Sequence, residues 1–153
     1  MKITLLTHER ELTRPTNTGQ LIQSDDELTI EVIPWQRTEP CQPLVDALQA
    51  GTAVVLTPSG QGAQVTDLSQ IDHAVILDGT WQEVQKMWNK SDYLKTAHWA
   101  RLPTDQPSRF TLRRNQKPDG LCTAECVLLL LQEKGMEKSW QTLNQAFINF
   151  INE

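Results

Sequence analysis

The stretch Val75-Ile-Leu-Asp-Gly-Thr-Trp81 constrains the fold of this chain more than any other. His73 to Leu77 has the length and composition of a strand buried on both faces, as in a parallel sheet. The apolar run stops at Asp78, and Thr80-Trp81-Gln82-Glu83 then reads as a capping box, with Thr80 at the N-cap and Glu83 three residues later. Val84, Met87 and Trp88 follow at helical spacing, with Lys86 and Lys90 on the other side. A strand that turns at once into a helix is the unit of an α/β fold. Asp78 then sits at the carboxyl end of the strand, where open parallel sheets place their ligands.

The rest of the chain repeats the alternation. Strands are expected at Lys2–Thr7, Leu28–Ile33 (halted by Pro34), Ala53–Thr57 and His98–Leu102. Helices are expected at Pro43–Ala50, with Gly51 just past the end, from Trp81, and from Leu121 to Lys134, closed by Gly135. A last helix is expected to be capped by Ser139 and to bury Trp140, Leu143, Phe147, Phe150 and Ile151. This pattern predicts a single α/β domain over residues 1–153, with a mostly parallel sheet and helices on both faces. Residues 103–120 are the exception, about eighteen residues without periodicity and rich in Arg and Pro. A loop of that length is usually functional or disordered.

Composition excludes several classes. No apolar run approaches the roughly 20 residues of a membrane-spanning helix. The N-terminus turns polar too soon for a signal peptide. Cys41, Cys122 and Cys126 are odd in number and form no C-x-x-C pair, which points to a reduced, cytoplasmic protein without a zinc ribbon. His8, Glu9 and Glu11 match no helical ligand spacing, so no metal is expected. Ser59-Gly-Gln-Gly62 lacks the lysine of a phosphate-binding loop, and no G-x-G-x-x-G follows a strand. The formal charge is −5, yet residues 82–117 carry eight basic against three acidic side chains, a local +5. Such a basic middle is the footprint of a protein that binds a polyanion on one face, or else a solvated set of lysines and arginines.

Three clusters are candidates for chemistry. Asp78 is either a working carboxylate or a cap on backbone amides; the helix N-terminus stabilises its anion, which weakens it as a base, and burial against Trp81 would act in the opposite sense. Thr80 reads first as a cap, and Trp81 as core or as a platform for a base. The second cluster is the polar segment His8–Gly19, whose Thr16, Asn17, Thr18 and Gly19 offer hydroxyls and backbone N–H groups to an anion, or simply form turns. The third is Ser108–Arg114 with Lys117, continuing to Leu121–Glu125. There Arg109, Arg113 and Arg114 suit phosphate, Phe110 suits stacking, and Glu125 suits a helix N-terminus or a ligand ammonium.

Taken in order, these clusters resemble one family. Asp78-Gly-Thr-Trp81 is similar to the signature of the DTW-domain proteins. Arg14-Pro-Thr-Asn-Thr-Gly-Gln-Leu-Ile22, Trp35-Gln-Arg-Thr-Glu-Pro40, Leu112-Arg113 and Cys122-Thr-Ala-Glu-Cys126 resemble its other blocks. The family includes tRNA-uridine aminocarboxypropyltransferases with a SPOUT-related α/β fold and a C-terminal knot. The resemblance therefore implies S-adenosylmethionine as donor, a tRNA uridine as acceptor, and a homodimer as an expectation. It implies Asp78, Thr80 and Trp81 as the catalytic set, and Leu77, Asp78, Gly79, Leu112, Thr123, Ala124 and Glu125 around the cofactor. Arg10, Arg14, Asn17, Thr18, Gly19, Arg109, Arg113, Arg114 and Lys117 are then implied on the tRNA side. The cysteine cluster with which many relatives begin is missing ahead of the first strand, so no zinc is expected. The rival readings are a SPOUT-like RNA methyltransferase with the same donor and a non-catalytic RNA-binding module.

Overall fold

The computed structural model describes residues 1–57, 67–102 and 122–152. Five strands form one sheet: β1 (Lys2–Thr7), β2 (Thr29–Pro34), β3 (Val54–Thr57), β4 (His73–Asp78) and β5 (Trp99–Arg101). Their spatial order is β2-β1-β4-β3-β5, and every pairing is parallel. The helices are α1 (Gln42–Ala50), α2 (Trp81–Lys90), the short α3 (Asp92–Lys95), α4 (Thr123–Glu133) and α5 (Glu137–Ile151).

Strand alternation divides the core into two layers. Ile3, Leu5, Val54, Leu56, Ala74, Ile76 and Ala100 pack with α4 and α5 residues such as Val127, Leu131, Leu143 and Phe147. Leu6, Val55, Val75 and Trp99 pack on the opposite side with Leu44 and Leu48 of α1, Met87 of α2 and Leu94 of α3. Helices thus cover both faces, which is why β1 and β4 are nearly continuous apolar runs. The edge strand β2 is mostly exposed along its length.

Local signals place most boundaries. Gly51 ends α1 in the left-handed conformation (φ 76°), with its N–H on the Ala47 and Leu48 carbonyls. Thr80 and Glu83 form the expected reciprocal cap on α2. Lys86 and Lys90 are exposed on α2, while Met87 is buried and Trp88 meets Trp99 edge-to-face at 4.5 Å.

Most other ends shift by a residue or two from expectation, β2 running through Pro34 rather than halting before it, and one boundary differs more. Ser139 does not cap α5; the helix already starts at Glu137, after Met136. Gly135 takes a left-handed turn (φ 69°) and the Met136 amide returns to the Leu131 carbonyl, so the connection is tight and α5 begins two residues before Ser139 is reached. The Ser139 hydroxyl instead donates to the Asp25 carboxylate, tying α5 to the segment before β2.

The topology makes a crevice. From β1 the chain moves outward to the β2 edge, and from β4 it ends up at the opposite edge in β5. Between adjacent β1 and β4 the connections therefore leave in opposite directions, the arrangement that opens a ligand site at the carboxyl ends of a parallel sheet. Thr7 and Asp78, the last residues of the two strands, are register partners there.

Candidate active site

Asp78 lies at the floor of this crevice with only 2% of its surface exposed. Its side chain points to the α4 layer, as the alternation from Ala74 and Ile76 requires. Three side chains donate to it. The Thr123 hydroxyl reaches Oδ1 at 2.7 Å, the Asn17 amide reaches Oδ2 at 3.0 Å, and the Thr7 hydroxyl reaches Oδ2 at 3.2 Å. Asp78 therefore caps no helix; Thr80 and Glu83 do that for α2. Instead it joins β1, β4, the polar loop and α4. Among the described residues its carboxylate meets uncharged donors alone. Of the roughly four acceptor sites of a carboxylate, the described residues take three.

The polar loop is held against Asp78 by its own hydrogen bonds. The other Asn17 N–H donates to the Glu11 carbonyl at 3.0 Å, and Asn17 Oδ1 accepts from the Gly19 amide. Gly19 is required here by close approach. A Cβ at this position would lie 2.8 Å from Asn17 Oδ1 and 2.9 Å from Asp78 Oδ2. Thr18, fully buried, accepts at its hydroxyl from the Ala124 amide at 3.0 Å and so locks the loop to the start of α4.

These contacts correct one expectation. The Asn17 and Gly19 amides and the Ala124 amide are not open to an anion, because the Arg14 carbonyl, the Asn17 side chain and the Thr18 hydroxyl already take them. Such internal closure is normal for buried N–H groups.

Behind the loop lies an ionic cluster. Arg14 pairs with Glu11 at 2.6 Å and with Glu83 at 3.1 Å, bridging the loop to the first turn of α2. Burial works to raise the Glu83 carboxyl, but the Thr80 amide, Arg14 and His8 outweigh it and hold it below the ordinary glutamate value. The His8 ring stacks on Trp35 at 5.9 Å, and its Nδ1 lies 3.2 Å from the Arg10 amide. Arg14, expected on the tRNA side, is thus paired with two carboxylates; the Arg10 side chain is exposed.

The remaining predicted residues sort as follows. Thr80 is a cap by its contacts. Trp81 is 46% exposed, so it is no core residue and does not bury Asp78; its ring is available as a platform. Leu77 packs toward the α1–α2 layer. Gly79 follows Asp78 in the turn into α2, where an added Cβ would meet Glu83 Cβ at 3.0 Å. Thr123, Ala124 and Glu125 open α4, with Glu125 Oε1 accepting from the Cys122 amide at 3.3 Å. Burial, reinforced by Glu125, pushes the Cys122 thiol up to about 12, and burial also raises Cys126, so neither supplies a thiolate nucleophile near neutral pH. Leu112, Arg109, Arg113, Arg114 and Lys117 lie outside the described residues, as does the Ser59–Gly62 segment.

A cleft of about 220 Å³ opens beside Asp78, between the polar loop and the β1–β2 edge. Leu12, Thr13, Arg14, Pro15 and Gln20 line it from the loop, and Leu5, Thr7, Val32 and Asp78 from the strands. Thr7, Leu12 and Val32 were not singled out in the sequence. Thr7 carried one signal, a polar residue ending an apolar strand; Leu12 and Val32 carried none.

The family comparison coincides with this geometry. The DTW-domain family matches residues 1–153, and the Asp-x-Thr-Trp signature falls on the turn from β4 into α2. The chain belongs to the DTW-domain family. This domain is found in tRNA-uridine aminocarboxypropyltransferases, and membership points to a transferase that modifies tRNA. No solved structure matches the chain. Among the described residues of this DTW protein no helix is long and apolar enough to cross a membrane, and no group of three His, Cys, Asp or Glu side chains could hold a metal ion.

Proposed function

We propose that this DTW protein transfers the 3-amino-3-carboxypropyl group of S-adenosylmethionine to a uridine of tRNA, releasing methylthioadenosine. The observation that carries the reading is Asp78: a buried carboxylate at the carboxyl ends of β1 and β4, held by three neutral donors at the floor of an open cleft. The donor chemistry of the site fits a cationic cofactor. Asp78 and Glu125 are both buried in it, and a sulfonium with an ammonium is stabilised by fixed negative charge. When bound, the cofactor supplies an activated carbon next to sulfur. Glu125 would face its ammonium, and the Leu77–Gly79 turn would lie beside it.

The protein's own residues then do three things. Asp78 accepts the proton of uridine N3, which is a poor nucleophile while protonated; such general base catalysis contributes roughly 10²–10⁴ in rate. Thr7, Asn17 and Thr123 fix the carboxylate so that it needs no reorganisation. The Arg14 bridge and the Thr18–Ala124 bond hold the loop, so the reactants meet in one geometry. Trp81, with Lys86 and Lys90 exposed farther along α2, gives RNA a stacking ring and positive charge next to the site. The same reading extends to a SPOUT-like C-terminal knot and a homodimer, the latter testable by sedimentation equilibrium.

The deciding experiment is product analysis with purified protein, S-adenosylmethionine and tRNA. Methylthioadenosine is expected. S-adenosylhomocysteine would make the protein a methyltransferase, and neither product would make it a binding module.

A further inference from the structure

The cleft beside Asp78 has walls that the transfer chemistry does not by itself explain. Leu12, from the loop, is 46% exposed, and Val32, from the edge strand, is 52% exposed; both line the cleft whose floor is the 98% buried Asp78. Apolar side chains left open at the mouth of a polar-floored cleft are the features of a site for a flat, partly apolar group.

We infer that this cleft is the seat of the target base: Leu12 and Val32 flank a single pyrimidine ring and the Asp78 carboxylate at its floor accepts the imide N–H. This rests on the uridine reading above. Size favours one ring over a whole nucleoside cofactor, since about 220 Å³ lies below the roughly 300–1,000 Å³ of pockets that enclose drug-sized ligands. Charge favours a base over a phosphate: the floor is a carboxylate, and Arg14 at the rim is engaged by Glu11 and Glu83. Hydrogen bonding favours a donor. Both Asn17 N–H groups are taken, by Glu11 and Asp78, so the floor offers an acceptor and needs an N–H from the ligand. A base entering this cleft must leave its stack, as bases modified at their pairing edge do. Leu12 and Val32 are then specificity residues rather than parts of the folding core.

The test titrates uridine 5′-monophosphate, and in parallel its N3-methyl analogue, into the full chain while backbone amide shifts are followed by NMR. The phosphate is common to both, so the difference reports the imide proton. Uridine monophosphate should shift Leu12, Gly19 and Val32, and the methylated analogue should bind at least several-fold more weakly. Leu12→Ser and Val32→Ser should each weaken uridine monophosphate about 3–10-fold, the loss of one to two apolar methylene contacts, while leaving the urea unfolding midpoint and S-adenosylmethionine affinity unchanged. Equal binding of the two nucleotides, shifts confined elsewhere, or loss of S-adenosylmethionine affinity in the serine variants would overturn the assignment. Methylthioadenosine release by wild type reads the transfer reaction separately, so a base seated in the cleft without that product refutes the reaction alone.

Discussion

Replacing Thr123 by Val removes one hydroxyl and little else. The two side chains share β-branched shape, and the position is the first residue of α4, so packing and χ1 preference are largely kept. What is lost is the 2.7 Å bond to Asp78 Oδ1, between side chains that are both more than nine-tenths buried. A hydrogen bond to a charged group contributes about 1.5–3 kcal/mol, and a buried carboxylate oxygen deprived of its donor has no solvent to replace it. At about 2–4 °C per kcal/mol for a chain of this size, the melting temperature should fall by roughly 3–12 °C. Urea unfolding should show a lower midpoint with an unchanged slope, since the folded state is weakened and not expanded. In an Asp78→Asn background the same change should cost distinctly less, with a coupling of about 0.5–3 kcal/mol. If Thr123→Val stays within about 0.5 kcal/mol of wild type, or costs the same in both backgrounds, the carboxylate is not held as described.

Three further predictions follow from the same contacts. Gly19→Ala places a methyl against Asn17 Oδ1 and Asp78 Oδ2, so it should destabilise by about 1–3 kcal/mol and cut turnover, as calorimetry and a rate assay would reveal. Because Glu83 is held below its ordinary value of 4.5, its ionised form contributes stability above pH 4.5 that disappears as the pH falls below it; the gap in unfolding free energy between wild type and Glu83→Gln should close over that range, and a gap independent of pH would contradict it. For tRNA binding, Arg109→Ala, Arg114→Ala and Lys117→Ala should each reduce the slope of log affinity against log salt by about one unit, whereas Arg14→Ala, already paired with Glu11 and Glu83, should leave it unchanged.

Where structure follows from neighbours in sequence, it was legible. The β4–α2 turn is written in an apolar run followed by Thr80 and Glu83, and the end of α1 in Gly51, because caps and left-handed turns act within a few residues. Ser139 misled for the same reason: it has the chemistry of a cap, but the Gly135–Met136 turn starts α5 earlier and hands its hydroxyl to Asp25. Asp78 could be found but not interpreted. Whether it caps amides or takes side-chain donors depends on Thr7, Asn17 and Thr123, which lie 71, 61 and 45 residues away and arrive through the β1–β4 register and the docking of α4. The pairing of Arg14 with Glu83, 69 residues on, is likewise invisible from the polar loop in which Arg14 stands. Leu12 and Val32 are ordinary apolar residues until the edge strand is placed beside the loop.

The central claim is that Asp78 acts as the base and is not merely a knot of hydrogen bonds, and Asp78→Asn separates the two. The amide keeps the size of the carboxylate, and the Thr123 and Thr7 hydroxyls can rotate to suit it, so the network can re-form without the charge. Measured together on this variant, methylthioadenosine release from S-adenosylmethionine and tRNA should fall by roughly 10²–10⁴, while the unfolding midpoint and the calorimetric affinity for S-adenosylmethionine stay near wild type. Turnover within a few-fold of wild type would contradict the account, and a variant that fails to fold would make Asp78 a structural anchor.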